Sequence, residues 1–235
     1  MPEMINGLVS KLGFENIDKR LLRQAVTHKS FTAEPENSIF KNNERLEFLG
    51  DSILGMIISD YLYEKYPDEN EGNLSKMKSV IVSEPSLAEG ARAMKLADYM
   101  ILAECEYKTG GLEKNSILSD AFEAVIAVIY LTVGIEECRE FIFKYLDNTI
   151  KNCQQISYVK DLKGLLQEYT QEKFKMIPEY ILVKEEGPDH DKNFFYDVKI
   201  NNEIIGNGSG KNKKSAQQNA AANALKNYFD FNAFC

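Results

Sequence analysis

The segment Ser119-Asp120-Ala121-Phe122-Glu123-Ala124-Val125-Ile126-Ala127-Val128-Ile129-Tyr130-Leu131 constrains the fold more than any other stretch of the chain. Past Glu123 it is apolar on every side, and a helix without a polar face has to be enclosed by other helices or by lipid. The run 124–130, with 131–133 behind it, follows closely on Asp120 and Glu123 and falls short of the roughly 20 apolar residues that a bilayer span requires. It reads as the buried centre of an all-α domain, with two carboxylates at its head.

Apolar residues recur at helical spacing almost without interruption to about Ser157, with breaks at Glu34-Pro35, Pro67-Asp68, Glu84-Pro85, Gly110-Gly111 and Gly134. Asn73 before Leu74-Ser75-Lys76-Met77 and the tripeptide Ser83-Glu84-Pro85 mark expected helix starts. Beyond Ser157 the pattern changes to a helix over about 159–174, strands at 179–183, 193–200 and 203–206, and an Ala-rich helix over about 212–229. Asn201-Asn202, between the second and third strands, is a hairpin-type dipeptide. The expected architecture is an all-α N-terminal domain over 1–154, a linker over 155–159, and a small α+β domain of order α-β-β-β-α over 160–230.

Charge speaks to the partner. With 28 basic and 36 acidic residues the chain carries −8, which taken whole argues against nucleic acid, because phosphate binding draws on Lys and Arg. The charge is not evenly spread. Residues 160–235 hold 11 Lys against 11 Asp plus Glu, so the first 159 residues carry the entire −8. Lys211, Lys213 and Lys214 gather at the start of the last helix, with no acid from Gly206 to Phe229. Cys105, Cys138, Cys153 and Cys235 lack C-x-x-C spacing, and nothing at the N-terminus resembles a signal h-region. A cytoplasmic location with no membrane association is expected.

Glu44, Glu47 and Asp51 stand at i, i+3 and i+7, which places them within about 60° of one another on a helix at 100° per residue. Asp120 and Glu123 form a second pair at i and i+3. One reading makes these acids helix caps, first-turn residues favoured by the helix dipole, or partners of Arg45 and nearby lysines. The other makes them metal ligands, because two such groups, each leading into an apolar helix, are costly to bury unless cations neutralise them. Hard oxygen donors without His or Cys suit Mg2+, with Mn2+ able to substitute, rather than zinc or copper. Only His28 and His190 occur in the chain, so a His-rich site is excluded. An all-carboxylate Mg2+ site in helices points to phosphoryl-transfer chemistry.

Asn43-Glu44-Arg45-Leu46-Glu47-Phe48-Leu49-Gly50-Asp51-Ser52 resembles the signature of bacterial ribonuclease III. The rest follows in the same order: Thr27-His28-Lys29-Ser30, Asp68-Glu69-Asn70-Glu71-Gly72 with Leu74-Ser75, Gly110-Gly111, and 116–124 around Asp120 and Glu123. The C-terminal part resembles a double-stranded-RNA-binding domain through 165–168, Pro178-Glu179-Tyr180, Gly187-Pro188-Asp189-His190 and Gly206-x-Gly208-x-Gly210 before Lys213-Lys214-x-Ala216. The resemblance covers nearly the whole chain.

It implies a catalytic nuclease domain over 1–154 and an RNA-binding domain over 160–230. Its implied activity is that of a homodimeric, Mg2+-dependent endoribonuclease that cuts double-stranded RNA to 5′-phosphate and 3′-hydroxyl ends with short 3′ overhangs, as in rRNA precursor and mRNA processing. Carried over by position, Glu47, Asp51, Asp120 and Glu123 are the implied metal ligands, with Asp51 and Glu123 the catalytic pair. Glu44 and Glu71 are accessory acids, and for Glu44 an ion pair with a basic residue is an equal alternative. Thr27-His28 reads as structural, since a lone histidine on a helix is usually a satisfied core or interface residue.

For the RNA-binding domain the residue types also follow from A-form geometry, whose wide minor groove displays 2′-hydroxyls beside the phosphates. Gln167 and Glu168 on the first helix suit 2′-hydroxyls, and His190 between the first two strands suits the neighbouring minor groove. Lys213 and Lys214 at a helix start suit phosphate, the alternative being a merely solvated face. Asn212 stands where the family favours Ser or Thr, and Gln217 where it favours Glu; Asn remains able to cap the helix. Two other classes compete: a non-cleaving double-stranded-RNA-binding regulatory protein, and a small-nucleotide phosphohydrolase, which would have no use for 160–227.

Overall fold

The computed structural model describes residues 2–188 and 192–228, without the side chains of residues 2, 155–160 and 228. His190 lies outside the described residues. The chain divides into two compact units, Met1–Gln154 and Gln155–Cys235.

In the first unit the helices run α1 (Pro2–Leu12), α2 (Lys19–Ala25), α3 (Lys29–Thr32), α4 (Glu44–Lys65), α5 (Glu71–Ile81), α6 (Glu84–Ala93), α7 (Glu104–Lys108) and α8 (Asn115–Thr132), and α9 (Ile135–Lys160) begins in it and ends beyond Gln154. Helix α8 is the centre. Ile117 to Ser119, Ala121, Phe122 and the whole of 124–129 are buried, with α4 and α6 packed along it. By length and composition alone α8 passes for a bilayer span, but most of it is enclosed by the protein's own helices. Gly134, at φ 137°, ends α8 in a conformation closed to residues with a Cβ.

Two helix starts differ from expectation. Helix α5 begins three residues early, because Asn70 rather than Asn73 is the cap and its side chain accepts from the Asn73 N–H at 3.0 Å. Helix α8 begins at Asn115, so Asp120 and Glu123 lie beyond its first turn. Asp51 likewise sits inside α4. The dipole and capping explanation therefore fails for these three acids, since that field fades within the first turn. Ser83-Glu84-Pro85 opens α6 as expected, with Pro85 in its first turn.

The second unit contains α10 (Leu162–Phe174), β1 (Glu179–Glu186), β2 (Asn193–Ile200), β3 (Glu203–Gly210) and α11 (Lys213–Tyr228), with the strands antiparallel in the order β1-β2-β3. This is the α-β-β-β-α order read from the sequence. Asn201 and Asn202 have φ 49° and 68°, the two positive values that a type I′ hairpin turn demands. The first strand outruns its expected end at 183, because a bulge between Leu182 and Lys184 carries the pairing on to Glu186 opposite Asn193. The third runs to Gly210 instead of stopping at 206. A Cβ on Gly206, Gly208 or Gly210 would lie 2.6, 2.1 or 2.2 Å from atoms of α11, so these glycines let the strand lie directly on that helix. Ala216, Ala220 and Ala224 supply the facing surface, and Leu166, Tyr196, Val198 and Leu225 complete the core.

Candidate active site

Helices α4 and α8 touch at Gly50. A Cβ there would stand 1.9 Å from the Glu123 carbonyl oxygen, so only glycine permits the approach. The crossing draws the acids of two helices together: Glu47, Asp120 and Glu123 each offer a carboxylate oxygen, and these atoms all lie within 4.8 Å of one another. All three residues are half-buried.

Asp51, expected as a fourth member, is not in that group and is exposed. It is still close enough to act electrostatically. Burial first, then the charges of Asp51, Glu47 and Asp120, push the Glu123 carboxyl from 4.5 up to about 8. Burial, followed by Asp120 and Glu44, raises Glu47. Burial raises Asp120 as well, against the opposing charge of Lys29. Three carboxyls that all resist ionisation in one place lack positive charge, and a divalent cation would supply it.

Glu44 lies at the rim, where its Oε1 is 3.4 Å from Lys29 Nζ and its Oε2 accepts from Asn42 Nδ2 at 3.1 Å. The pairing of Glu44 with a basic residue, one of the two readings open for it, is present here, at a position beside the carboxylate group. Lys29 was not singled out from the sequence as a site residue. Its charge opposes the upward shifts of both Glu47 and Asp120, which makes it the protein's own cation beside the cluster. Only the tertiary fold brings Lys29 to Glu44, so no local spacing announced it.

His28 holds Lys29 in place. It caps α3 with Nδ1 accepting from the Ser30 N–H at 3.2 Å, its backbone N–H donates to the Ile101 carbonyl at 2.9 Å, and Ser30 Oγ accepts from the Ala103 N–H at 3.1 Å. Burial lowers the His28 pKa, so the ring is favoured neutral. Glu71 opens α5, exposed, accepting from Ser75 Oγ at 2.9 Å, and is not part of the carboxylate group.

In the second unit Gln167 and Glu168 are exposed neighbours on α10. Lys213 and Lys214 are exposed at the start of α11. Lys213 Nζ is 3.9 Å from Glu185 Oε1 and 5.8 Å from the Phe194 ring centre. Asn212 caps this helix, its Oδ1 accepting from the Ser215 N–H at 2.8 Å. Gln217 Oε1 accepts from Lys163 Nζ at 2.7 Å, linking α11 to α10 by a hydrogen bond where a glutamate would make an ion pair.

Comparison with known proteins agrees with both units. Residues 18–150 match the model of a ribonuclease-III-like family, and residues 162–228 that of the double-stranded RNA binding motif. Ribonuclease 3 of Treponema denticola is 43% identical over 215 residues, covering 92% of this chain and 87% of its own. The Borreliella burgdorferi protein of the same name is 46% identical over 215 residues, covering 92% and 86%. Among solved structures, the nuclease domain of ribonuclease III from Campylobacter jejuni superposes with a TM-score of 0.56 at 40% identity, covering 61% of this chain and 96% of that one. That structure is described in terms of flexibility in the region involved in its dimer formation.

Proposed function

The chain belongs to the ribonuclease III family and is an endoribonuclease acting on double-stranded RNA, and from that premise we propose that it cuts the duplex with Mg2+ held by Glu47, Asp120 and Glu123, with Asp51 completing the site. The observation that carries this reading is the carboxylate group at the Gly50 crossing. Its donor set is all oxygen, its members lie within 4.8 Å of one another, and its electrostatics call for added positive charge. The residues therefore fit a hard divalent ion, with Mn2+ an acceptable substitute for Mg2+.

A cation bound there would clamp the non-bridging oxygens of the scissile phosphate and offset the charge growing on the leaving oxygen. The chain's own residues do the rest. Glu123, the carboxyl most strongly raised by burial, fixes the position of the site relative to the α8 backbone. Glu47 reaches in from α4, and Asp51, on the solvent side, meets the incoming phosphate and its water. Asp51 and Glu123 are the catalytic pair, while Glu44 and Glu71 are accessory acids. Water adds to phosphorus as the P–O3′ bond breaks, leaving a 3′-hydroxyl on one fragment and a 5′-phosphate on the other.

The duplex is held by residues 160–230, joined through 155–159 to the nuclease residues 1–154. Gln167 and Glu168 meet 2′-hydroxyls and Lys213 and Lys214 meet phosphate, with His190 in the neighbouring minor groove. The enzyme works as a homodimer. Support comes from Phe48, Met56 and Tyr63, an apolar stripe on α4 that is 78%, 55% and 75% exposed, and from the dimer-forming region described for the Campylobacter jejuni domain. Paired cuts by two subunits account for short 3′ overhangs. Processing of rRNA precursors and mRNA in the cytoplasm is the corresponding role, and the unbridged Cys105, Cys138 and Cys153 are consistent with a reducing compartment.

The test is the chemistry of the product ends. Fragments of a long RNA duplex digested with Mg2+ should be ligatable without prior phosphorylation. Ends carrying 2′,3′-cyclic phosphate would refute the proposed route.

A further inference from the structure

Between α2 and the segment 35–43 lies an open groove of about 410 Å3 whose lining includes Arg20, Arg23, Lys41, Ile39 and Phe40. It sits on a domain that is acidic overall, yet its lining holds three cations and one carboxylate. That carboxylate, Asp18, is already committed. It pairs with Arg20 at 3.1 Å and accepts from the Arg20 N–H at 2.7 Å as the cap of α2. The Arg23 guanidinium lies over the Phe40 ring, 4.4 Å from its centre, and neither Arg23 nor Lys41 has a carboxylate partner among the described residues. A guanidinium seated over an aromatic ring keeps its charge and its fork of donors, which suits two-point hydrogen bonding to phosphate.

The groove is built into the active-site rim. Gln24 Nε2 donates to the Asn42 carbonyl at 2.9 Å, and the Asn43 N–H donates to the Thr27 carbonyl at 2.9 Å, so α2 and the segment are pinned at their ends. Both strands of chain continue to the rim of the cluster. Lys29 lies two residues beyond Thr27, and Glu44, its partner at 3.4 Å, lies three beyond Lys41. Three residues span at most about 11 Å, so an anion at Lys41 is within a few nucleotides of Glu44 at the rim.

We propose that this groove is a phosphate-backbone subsite of the nuclease unit, in which Arg23 and Lys41 hold the RNA strand flanking the scissile bond. The assignment rests on the double-stranded-RNA endonuclease reading. It adds a grip on the acidic domain itself, independent of sequence because it reads phosphate. An open groove fits a polymer backbone better than a small molecule that must be enclosed.

The test uses the full chain, with Arg23→Gln, Lys41→Gln and the double variant. Lys41 is exposed and unpaired among the described residues, so its replacement leaves folding intact. Duplex binding is measured in EDTA across a salt series, and cleavage with Mg2+. Each lost phosphate contact should lower the slope of log K against log salt by about 0.9, so the double variant should lose about 1.8. Its cleavage defect should appear in KM, about tenfold or more, and be the same on duplexes of unrelated sequence. An unchanged slope and KM, with wild-type cleavage intact, overturns the subsite alone. An unchanged slope with a change in sedimentation assigns the groove to a second copy of the chain and also overturns it. Wild-type protein that neither binds nor cuts duplex RNA overturns the endonuclease reading together with the subsite.

Discussion

The Glu123 carbonyl oxygen occupies the place where a side chain on Gly50 would begin, 1.9 Å from an ideal Cβ. One backbone atom of the carboxylate-bearing helix α8 thus sets how closely α4 approaches, and so how near Glu47 comes to Asp120 and Glu123.

Gly50→Ala should therefore reverse the ordinary sign of that substitution. In a free helix it gains about 0.5–1 kcal/mol, whereas here the two backbones must part, at a cost of about 1–3 kcal/mol. A displacement of about 1 Å between catalytic groups costs on the order of 100-fold in rate. Thermal unfolding and duplex cleavage measured on the same preparation check both. A variant of raised stability and full activity would show that the crossing does not set the site.

Glu123 makes stability depend on pH in a direction opposite to most carboxylates. Its pKa rises from 4.5 to about 8 in the folded protein, chiefly through burial, so between these values the native state holds a proton that the unfolded chain has released. Its contribution to stability is complete below about pH 4.5, falls as pH rises toward 8, and is flat above. In EDTA the unfolding midpoint of wild type should drop across that window more steeply than that of Glu123→Gln. Mg2+ should raise the midpoint more at pH 8.5 than at pH 6, because the ion requires the ionised form. Equal slopes for the two proteins would place the titration elsewhere.

Tyr63 is 75% exposed on the α4 stripe, twelve residues beyond Asp51 on the same helix. Tyr63→Glu should leave the fold intact and weaken self-association by about 100-fold or more, since a charge would be buried in an apolar contact. Sedimentation equilibrium at micromolar concentration should show a dimer for wild type and a monomer for the variant. An unchanged dimer would remove this stripe from the interface.

Much of this arrangement was legible in the sequence because it is local. The i, i+3 spacing of Asp120 and Glu123 placed both on one helix face, and Asn201-Asn202 specified its own turn through two positive φ values. What escaped is tertiary. Gly206, Gly208 and Gly210 argue against a strand by propensity, and only the alanine face of α11, invisible from within the strand, makes them part of one. Asp51 shares a stripe with Glu44 and Glu47, but the stripe is not the contact line. Measured from Gly50, Glu47 is turned about 60° and Asp51 about 100°, so the nearer one joins the α8 acids. Lys29 reaches Glu44 through the cap at His28 and the bond to Ile101, neither of which leaves a periodic trace.

The most direct test of the account compares wild type with Glu123→Gln on a long RNA duplex in the presence and absence of Mg2+. Wild type should cut the duplex only with the divalent ion, and Glu123→Gln should bind it with wild-type affinity in EDTA and leave it whole. Cleavage by the variant at the wild-type rate, or intact duplex in the wild-type reaction across the Mg2+ and Mn2+ series, would contradict a cation site built on the crossing of α4 and α8.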